Sequence, residues 1–342
     1  MTEGLSLVPP TEIPLTRKDF TSDQEVRWCP GCGDYAILNA FTSMLPELGI
    51  ARENTVLISG IGCSSRFPYY VNAYGMHSIH GRATAIATGL ASTREDLAVF
   101  VITGDGDALS IGGNHLIHLL RRNVNVTILL FNNRIYGLTK GQYSPTSETG
   151  KITSSTPYGS VDRPFNPISL ALGAEATFVA RALDSDKKGL SSVLSAAARH
   201  RGASLVEIYQ NCHIFNDNAF DSLKGAAGET NLIPLQEGEP IIFAGGELCI
   251  ARNSRGSLEV AKTSETATER IVVHDPADPD PSLAFALSRI TDKTPIGVFR
   301  AVNRPSYDDE IRRQLRVSAG FKTNTDDDVQ RLLEGKDCWI VN

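Results

Sequence analysis

An α/β fold, with a doubly wound and mostly parallel sheet and a C-terminal extension, is the class this sequence predicts. Three observations predict it. Short apolar runs suited to buried strands alternate with helical segments from residue 34 to 210, the pattern of βαβ units. Four of those strand candidates are each followed by a polar segment rich in Gly, Asp, Asn or Cys. From about residue 224 the chain changes to short, turn-rich strands.

The elements follow in order. Residues 1–22 read as an extended, Pro-containing lead-in. "DYAILNAFTSMLPEL" (34–48) is amphipathic and predicts a helix. Strands are expected at 55–60, 97–104, 125–132, about 176–181 and 203–210. Helices are expected at 82–94, 113–122, about 166–174 and 189–201. Residues 133–162, rich in Gly, Ser, Thr and Pro, read as a long loop; a loop of that length inside a domain is usually functional. Residues 23–223 are therefore expected as one domain and 224–342 as an extension or small subdomain. In the extension, "DPSLAFALSRI" and "NTDDDVQRLLEG" are helix candidates flanking the strand "TPIGVFRAV", with Asp326 to Asp328 as a charged first turn, favoured by the helix dipole.

The 342 residues carry a formal net charge of −6. That argues against a nucleic-acid binder, which would show a basic face. No apolar run is long enough to span a bilayer, and residues 1–20 lack a signal pattern. The chain is expected to be cytoplasmic, with six cysteines as ligands or buried apolar residues rather than disulfides.

If the strands are parallel, "GIGCSSR", "GDGD", "NNRIYG" and "NCHIF" all lie at strand carboxyl ends, where open α/β sheets bind ligands. A diphosphate needs a metal, and Mg2+ needs hard oxygen ligands. Asp105 offers a carboxylate, Asn133 an amide oxygen and Ile135 a backbone carbonyl, while Gly104, Gly106 and Gly137 let backbone approach phosphate. The competing account is two unrelated turns. His80, Gly81 and Arg82 lead into a helix whose start can face the diphosphate; otherwise they form an ordinary helix-start turn. In the loop, Thr139, Lys140, Gln142 and Thr146 have polar reach, or belong to a solvated loop. His115 and His118, one helical turn apart, read as core or edge histidines.

Cys29 and Cys32 form a C-x2-C pair, joined at a distance by Cys63 and Cys212. Four thiolates can hold zinc or a four-iron cluster, and coordination by sulfur alone does not separate the two. A redox dithiol needs only the pair. Cys249 and Cys338 lie in apolar contexts and are expected to be buried.

"GDGDALS" and "NNRIYG", each after its own strand, resemble the diphosphate-and-Mg2+ motif of thiamine-diphosphate enzymes. With "WCPGCGDYAI", "GIGCSSRFPYY", "HGRATAIATG" and "TSSTPYG" in this order, residues 25–220 resemble the beta subunits of 2-oxoacid:ferredoxin oxidoreductases. "HDPADPDPSLAFALSR" and "TPIGVFRAVNRPSYDD" are similar to the longer 2-oxoglutarate type. The resemblance implies a diphosphate-binding domain that holds thiamine diphosphate. Its cofactor contacts would be Gly62, Cys63, His80, Gly81, Arg82, Gly104, Asp105, Gly106, Asp107, Asn133, Ile135, Gly137, Leu138 and Thr139. Asp105, Asn133 and Ile135 would hold Mg2+, and Cys29, Cys32, Cys63 and Cys212 one 4Fe–4S cluster.

The implied reaction is oxidative decarboxylation of a 2-oxoacid, with coenzyme A as acyl acceptor and ferredoxin as electron acceptor. Arg66 and His80 are the expected catalytic residues. Some broad-range members carry Lys where this chain has Arg66. Arg still pairs with a carboxylate, bidentately, and 2-oxoglutarate is the favoured substrate over pyruvate or a broad range. An alpha subunit is expected to supply the Glu that activates the cofactor and much of the coenzyme A site. A non-redox thiamine-diphosphate lyase and a zinc-stabilised binding protein are the remaining alternatives.

Overall fold

A computed structural model describes residues 3–318, 320, 325–339 and 341. The lead-in is anchored rather than free: Leu5, Val8 and Phe20 are buried. The first helix, α1 (Asp34–Met44), is shorter than expected because a 3-10 turn, Leu45–Leu48, takes over at Pro46, which has no N–H to continue it. Next come β1 (Thr55–Ser59), α2 (Phe67–Tyr70), β2 (Tyr74–His77), α3 (Ala83–Thr93), β3 (Ala98–Gly104) and α4 (Asp105–Leu109). α5 (Gly113–Arg122) and β4 (Val126–Asn132) lead to the long loop. No helix or strand falls between Asn132 and Pro167. α6 (Pro167–Gly173), β5 (Phe178–Leu183), α7 (Lys187–Arg199) and β6 (Ala203–Tyr209) then alternate as the sequence predicts.

The remainder comprises α8 (Gly225–Asn231), β7 (Leu232–Leu235), β8 (Ile242–Phe243), β9 (Leu248–Arg252), β10 (Leu258–Lys262), α9 (Ser282–Ser288), β11 (Thr294–Ala301), α10 (Tyr307–Ser318) and α11 (Asp326–Glu334). The main sheet has eight strands in the order β2-β1-β3-β4-β6-β5-β11-β7. Every pairing in it is parallel except β11 against β5. Strands from both sides of residue 224 thus share one sheet. β10, β9 and β8 form a separate antiparallel sheet of three.

Both faces of the main sheet are covered. Along β4, Ile128 and Leu130 join a core with Ala87, Leu116 and Leu120. Leu129 and Phe131 join the opposite core with Ile37, Phe41 and Leu194. Successive side chains point to opposite faces, so a strand buried on both sides reads as a continuous apolar run.

Other features also depart from the sequence reading, among them α8, a helix where turn-rich strands are expected. β2 is an edge strand with all four residues exposed, so it carries no buried run to betray it. α10 is held by polar contacts: Arg312 bridges Asp308, Asp309 and Glu95. Cys338, expected to be buried, is exposed. It follows α11, whose Val329, Leu332 and Leu333 are exposed, as is Trp339; among the described residues no core face covers this segment. Cys249, on β9, is buried as expected. Among the described residues no helix is long and apolar enough to cross a membrane.

One ion pair lies inside the sheet. Arg181 on β5 faces Glu207 on β6 in register, with Nε and Oε2 2.8 Å apart and both side chains buried. The guanidinium also lies over the rings of Tyr209 and Phe299. Removing one partner leaves the other charge buried and uncompensated. Arg181→Met should therefore cost about 3–5 kcal/mol in chemical denaturation; a loss below about 1 kcal/mol would show that Glu207 finds another partner.

Candidate active site

β1, β3, β4 and β6 are adjacent and parallel. Their carboxyl ends therefore deliver Gly62–Cys63, Gly104–Asp107, Asn132–Gly137 and Gln210–Cys212 to one rim. Two cavities open there. The first, about 480 Å3, is lined by Gly62, Cys63, His80, Gly104, Asp105, Gly106, Asp107, Asn133, Ile135, Gly137, Leu138 and Thr139. The second, about 380 Å3, is lined by Cys29, Cys32, Cys63, Cys212 and Arg66, among others. Cys63, Asn133, Gly137 and Leu138 belong to both walls.

The first residue of α4, Asp105, is buried at the floor of the first cavity. Its Oδ2 accepts hydrogen bonds from Ser144 Oγ (2.6 Å) and Thr146 Oγ1 (2.5 Å). Burial pushes its carboxyl up to about 6, although these hydroxyls oppose the shift. Two residues on, Asp107 does a different job. Its Oδ1 accepts from the Gly81 N–H (2.8 Å) and its Oδ2 from Thr103 Oγ1 (2.9 Å). Asp107 thus ties the His80–Arg82 turn to the end of β3.

The two asparagines also divide. Asn132 Nδ2 donates to Glu207 Oε1 (2.7 Å), and its Oδ1 lies 2.9 Å from the Thr146 hydroxyl. That links the Arg181–Glu207 pair to the hydroxyl holding Asp105. Asn133 faces the cavities: its Oδ1 accepts from the Ile135 N–H (3.2 Å), and its Nδ2 donates to Gln210 Oε1 (2.9 Å).

The cysteine cavity is built on a tight turn. Cys32 N–H donates to the Cys29 carbonyl (3.1 Å), and Gly31 at φ +81° takes the left-handed position that favours glycine. The Gly33 N–H donates to the Asn211 carbonyl (3.1 Å), docking this turn beside Cys212. Trp28 Nε1 donates to the Cys63 carbonyl (2.7 Å) and packs edge-on against Tyr35 and Tyr70. A Cβ added at Gly137 would sit in ordinary contact with Cys212 Sγ (3.6 Å) and Cys63 Sγ (3.7 Å), so this position lies directly beside both sulfurs.

Burial, reinforced by the nearby Asp34 carboxyl, raises the Cys32 thiol and pushes Cys63 up to about 11. Cys212 is raised by burial as well. Asp34 is itself pushed up to about 7 by burial. Among the described residues no three His, Cys, Asp or Glu side chains are grouped closely enough to hold a single ion.

Of the expected catalytic residues and cofactor contacts, three lie outside the first cavity. Arg66 lines the cysteine cavity, with Nη1 donating to the Arg27 carbonyl (2.9 Å). Gly81, at φ +65°, is bound to Asp107 instead. Arg82 occupies the N-cap position of α3, and its side chain donates to the His80 carbonyl (3.3 Å). In the long loop, Gln142 lines the first cavity and bonds back to Thr139, and Lys140 lines the second. His115 and His118 sit on α5, outside both linings. Sequence reasoning missed Ser144 and Gln210. Position offered the only signal for Gln210, which directly follows a strand and precedes Asn211 and Cys212.

The family model described as the C-terminal TPP binding domain of thiamine pyrophosphate enzymes matches residues 60–208. The 2-oxoglutarate oxidoreductase subunit KorB of Mycobacterium tuberculosis is 64% identical over 98% of this chain and 91% of its own length. The chain belongs to the beta subunits of the 2-oxoacid:ferredoxin oxidoreductases. The 2-oxoglutarate synthase subunit KorB of Archaeoglobus fulgidus is 42% identical over 54% of this beta subunit and 69% of its own length. Among solved structures, a chain of the 2-oxoglutarate:ferredoxin oxidoreductase of Magnetococcus marinus, with 2-oxoglutarate, coenzyme A and succinyl-CoA bound, superposes with a TM-score of 0.77. It is 34% identical, and the match covers 98% of this beta subunit and 100% of that chain. The doubly wound, mostly parallel sheet is the architecture this family predicts.

Gly106 is where the first cavity tolerates least. A Cβ there would lie 2.1 Å from Tyr136 Cε1, while Tyr136 Oη donates to the Gly106 carbonyl (3.1 Å). Gly106→Ala should force the ring out and cost about 1–3 kcal/mol. Adding Tyr136→Ala should restore part of that loss in thermal melts; equal melting of the single and double variants would refute the clash.

Proposed function

We propose that this beta subunit works in a coenzyme A-acylating enzyme that oxidatively decarboxylates 2-oxoglutarate to succinyl-CoA and carbon dioxide, with electrons leaving through a 4Fe–4S cluster to ferredoxin. The observation that carries this reading is the shared wall. Residues suited to a metal diphosphate and four cysteines face two cavities divided by Cys63, Asn133, Gly137 and Leu138. The reading is also supported by the relatives' names and by the ligands of the Magnetococcus marinus structure.

The residues present fit these groups. Asp105, Asn133 and the Ile135 carbonyl offer oxygen ligands for Mg2+, beside the Gly104–Gly106 turn that admits the diphosphate. When bound, thiamine diphosphate supplies the nucleophilic carbon and the electron sink that decarboxylation needs. The cysteine cavity of about 380 Å3 suits a multi-atom cluster better than a lone zinc, whose thiolates close to about 2.3 Å. A cluster supplies one-electron transfer, which zinc cannot.

The chain's own groups do the positioning. Ser144 and Thr146 hold one carboxylate oxygen of Asp105. Asp107 holds the turn that brings His80 to the cavity wall. Arg66 stands on the cluster side of the shared wall, a cation available to a substrate carboxylate. The protein acts with an alpha subunit, which supplies the activating Glu and much of the coenzyme A site. Cysteines held as metal ligands suit the reducing cytoplasm.

An anaerobic preparation of the complex, assayed for iron, zinc and thiamine, tests the reading. Brown protein bleached by reductant and containing thiamine is expected; colourless, zinc-containing protein would sink it. On the same complex, kcat/KM should favour 2-oxoglutarate over pyruvate, and the reverse order would reassign the substrate.

A proton competes with Mg2+ for Asp105. Because burial raises this carboxyl to about 6 in the metal-free protein, acid favours the metal-free form. Mg2+ affinity at saturating thiamine diphosphate should be level above about pH 6 and fall about tenfold per unit below it. Titrating Mg2+ across that range checks this. The component due to Asp105 should vanish in Asp105→Asn; an identical slope in that variant would assign the proton elsewhere.

A further inference from the structure

We propose that Gln210 is a positioning residue shared by both cofactor cages: one amide holds the metal ligand Asn133 at one end and the cluster ligand Cys32 at the other. This rests on the functional reading above and names the residue that joins its two halves.

Gln210 follows β6 directly and is 2% exposed. Its backbone N–H donates to the Asn132 carbonyl (3.0 Å), which fixes the residue to the end of β4. Its side chain then reaches both ways. Oε1 accepts from Asn133 Nδ2 (2.9 Å). Nε2 donates to the Asn211 carbonyl (2.6 Å) and to Cys32 Sγ (3.3 Å). The orientation of this amide follows from its partners. A carbonyl oxygen and a cysteine sulfur acting as a ligand both accept, so the NH2 group must face them.

That orientation dictates the next one. With Gln210 presenting its oxygen, Asn133 must present Nδ2 in return. The Asn133 oxygen is then left facing the Ile135 N–H (3.2 Å). Reversing the Asn133 amide would set its NH2 against the Ile135 N–H, donor against donor, and its oxygen against Gln210 Oε1, acceptor against acceptor. Mg2+ takes oxygen and not an amide nitrogen, so Gln210 selects the orientation in which Asn133 can serve as a ligand. At the other end, an N–H directed at a cluster sulfur draws negative charge from it and favours the reduced cluster.

The Asn211 carbonyl ties the bridge down, because it accepts from both Gln210 Nε2 and the Gly33 N–H. The C-x2-C turn, the end of β6 and the metal ligand on β4 are thus joined through two consecutive residues. Nothing in the GDG, NN or cysteine motifs points to Gln210.

The test uses the complex with its alpha subunit, purified anaerobically as wild type, Gln210→Leu and Gln210→Glu. Two quantities are read: the apparent Kd for Mg2+ at saturating thiamine diphosphate, and the cluster midpoint potential from an EPR-monitored reductive titration. Gln210→Leu removes both contacts and should weaken Mg2+ binding about tenfold or more while moving the potential to more negative values. Gln210→Glu keeps an acceptor for Asn133 and loses the donor toward sulfur. It should hold the Mg2+ Kd to about threefold of wild type and still lower the potential.

A wild-type potential in Gln210→Glu overturns the cluster end of the bridge, whether or not Gln210→Leu retains its cluster. A wild-type Mg2+ Kd in Gln210→Leu, or loss of Mg2+ binding in Gln210→Glu, overturns the metal end. A wild-type complex lacking the cluster or the thiamine would overturn the functional reading and the bridge together. A loaded wild type with unmoved variants overturns the bridge alone.

Discussion

Parallel pairing sets the ends of four neighbouring strands at one level. Ser59 stands beside Ile102, Gly104 beside Phe131, and Asn132 beside Tyr209. Each strand then breaks into a polar segment within two or three residues. Antiparallel pairing would send alternate segments to opposite edges. The cysteine cavity and the Asp105 cavity would then lie a sheet-length apart instead of sharing a wall. The pairing is sustained by the two apolar layers on either side of β4, which also lock its register: a one-residue slip would turn Leu129 and Phe131 to the wrong face.

On that rim, residues of the same type take different jobs according to what lies behind them. Asp105 meets two hydroxyls from the long loop and keeps a place in the cavity, whereas Asp107 is consumed by Gly81 and Thr103. Asn132 turns back to the buried Glu207, and Asn133 turns forward to Gln210. A buried polar group must find a partner. Satisfying Arg181 and Glu207 inside the sheet therefore propagates outward through Asn132 and Thr146 to Asp105. A stability feature and a site feature belong to one network.

Much of this was legible in the sequence. The βαβ alternation showed in continuous apolar runs, and the strand ends showed in the motifs that follow them. Cys29, Cys32, Cys63 and Cys212 were picked out together, and they line one cavity. β2 escaped notice because it is short and exposed. α10 escaped because ion pairs rather than an apolar stripe hold it. Cys338 misled because an apolar neighbourhood in sequence, with Trp339 and Val341, predicts burial only when some surface exists to cover it.

The sequence by itself determined the alternation of strands and helices, the rim on which the chemistry gathers and the residue types available there. Those follow from periodicity and from Gly, Asp, Asn and Cys at strand ends, which are local properties. Only the tertiary structure decided which aspartate is tied up by the Gly81 turn, which asparagine faces the cavities, that Arg66 stands on the cysteine side, and that Gln210 reaches both. Those assignments depend on hydrogen-bond partners far away in the chain: Ser144 for Asp105, Gly81 for Asp107, and Cys32 for Gln210. No local pattern encodes such pairings, because each is settled only when the strands have brought both partners to the same edge.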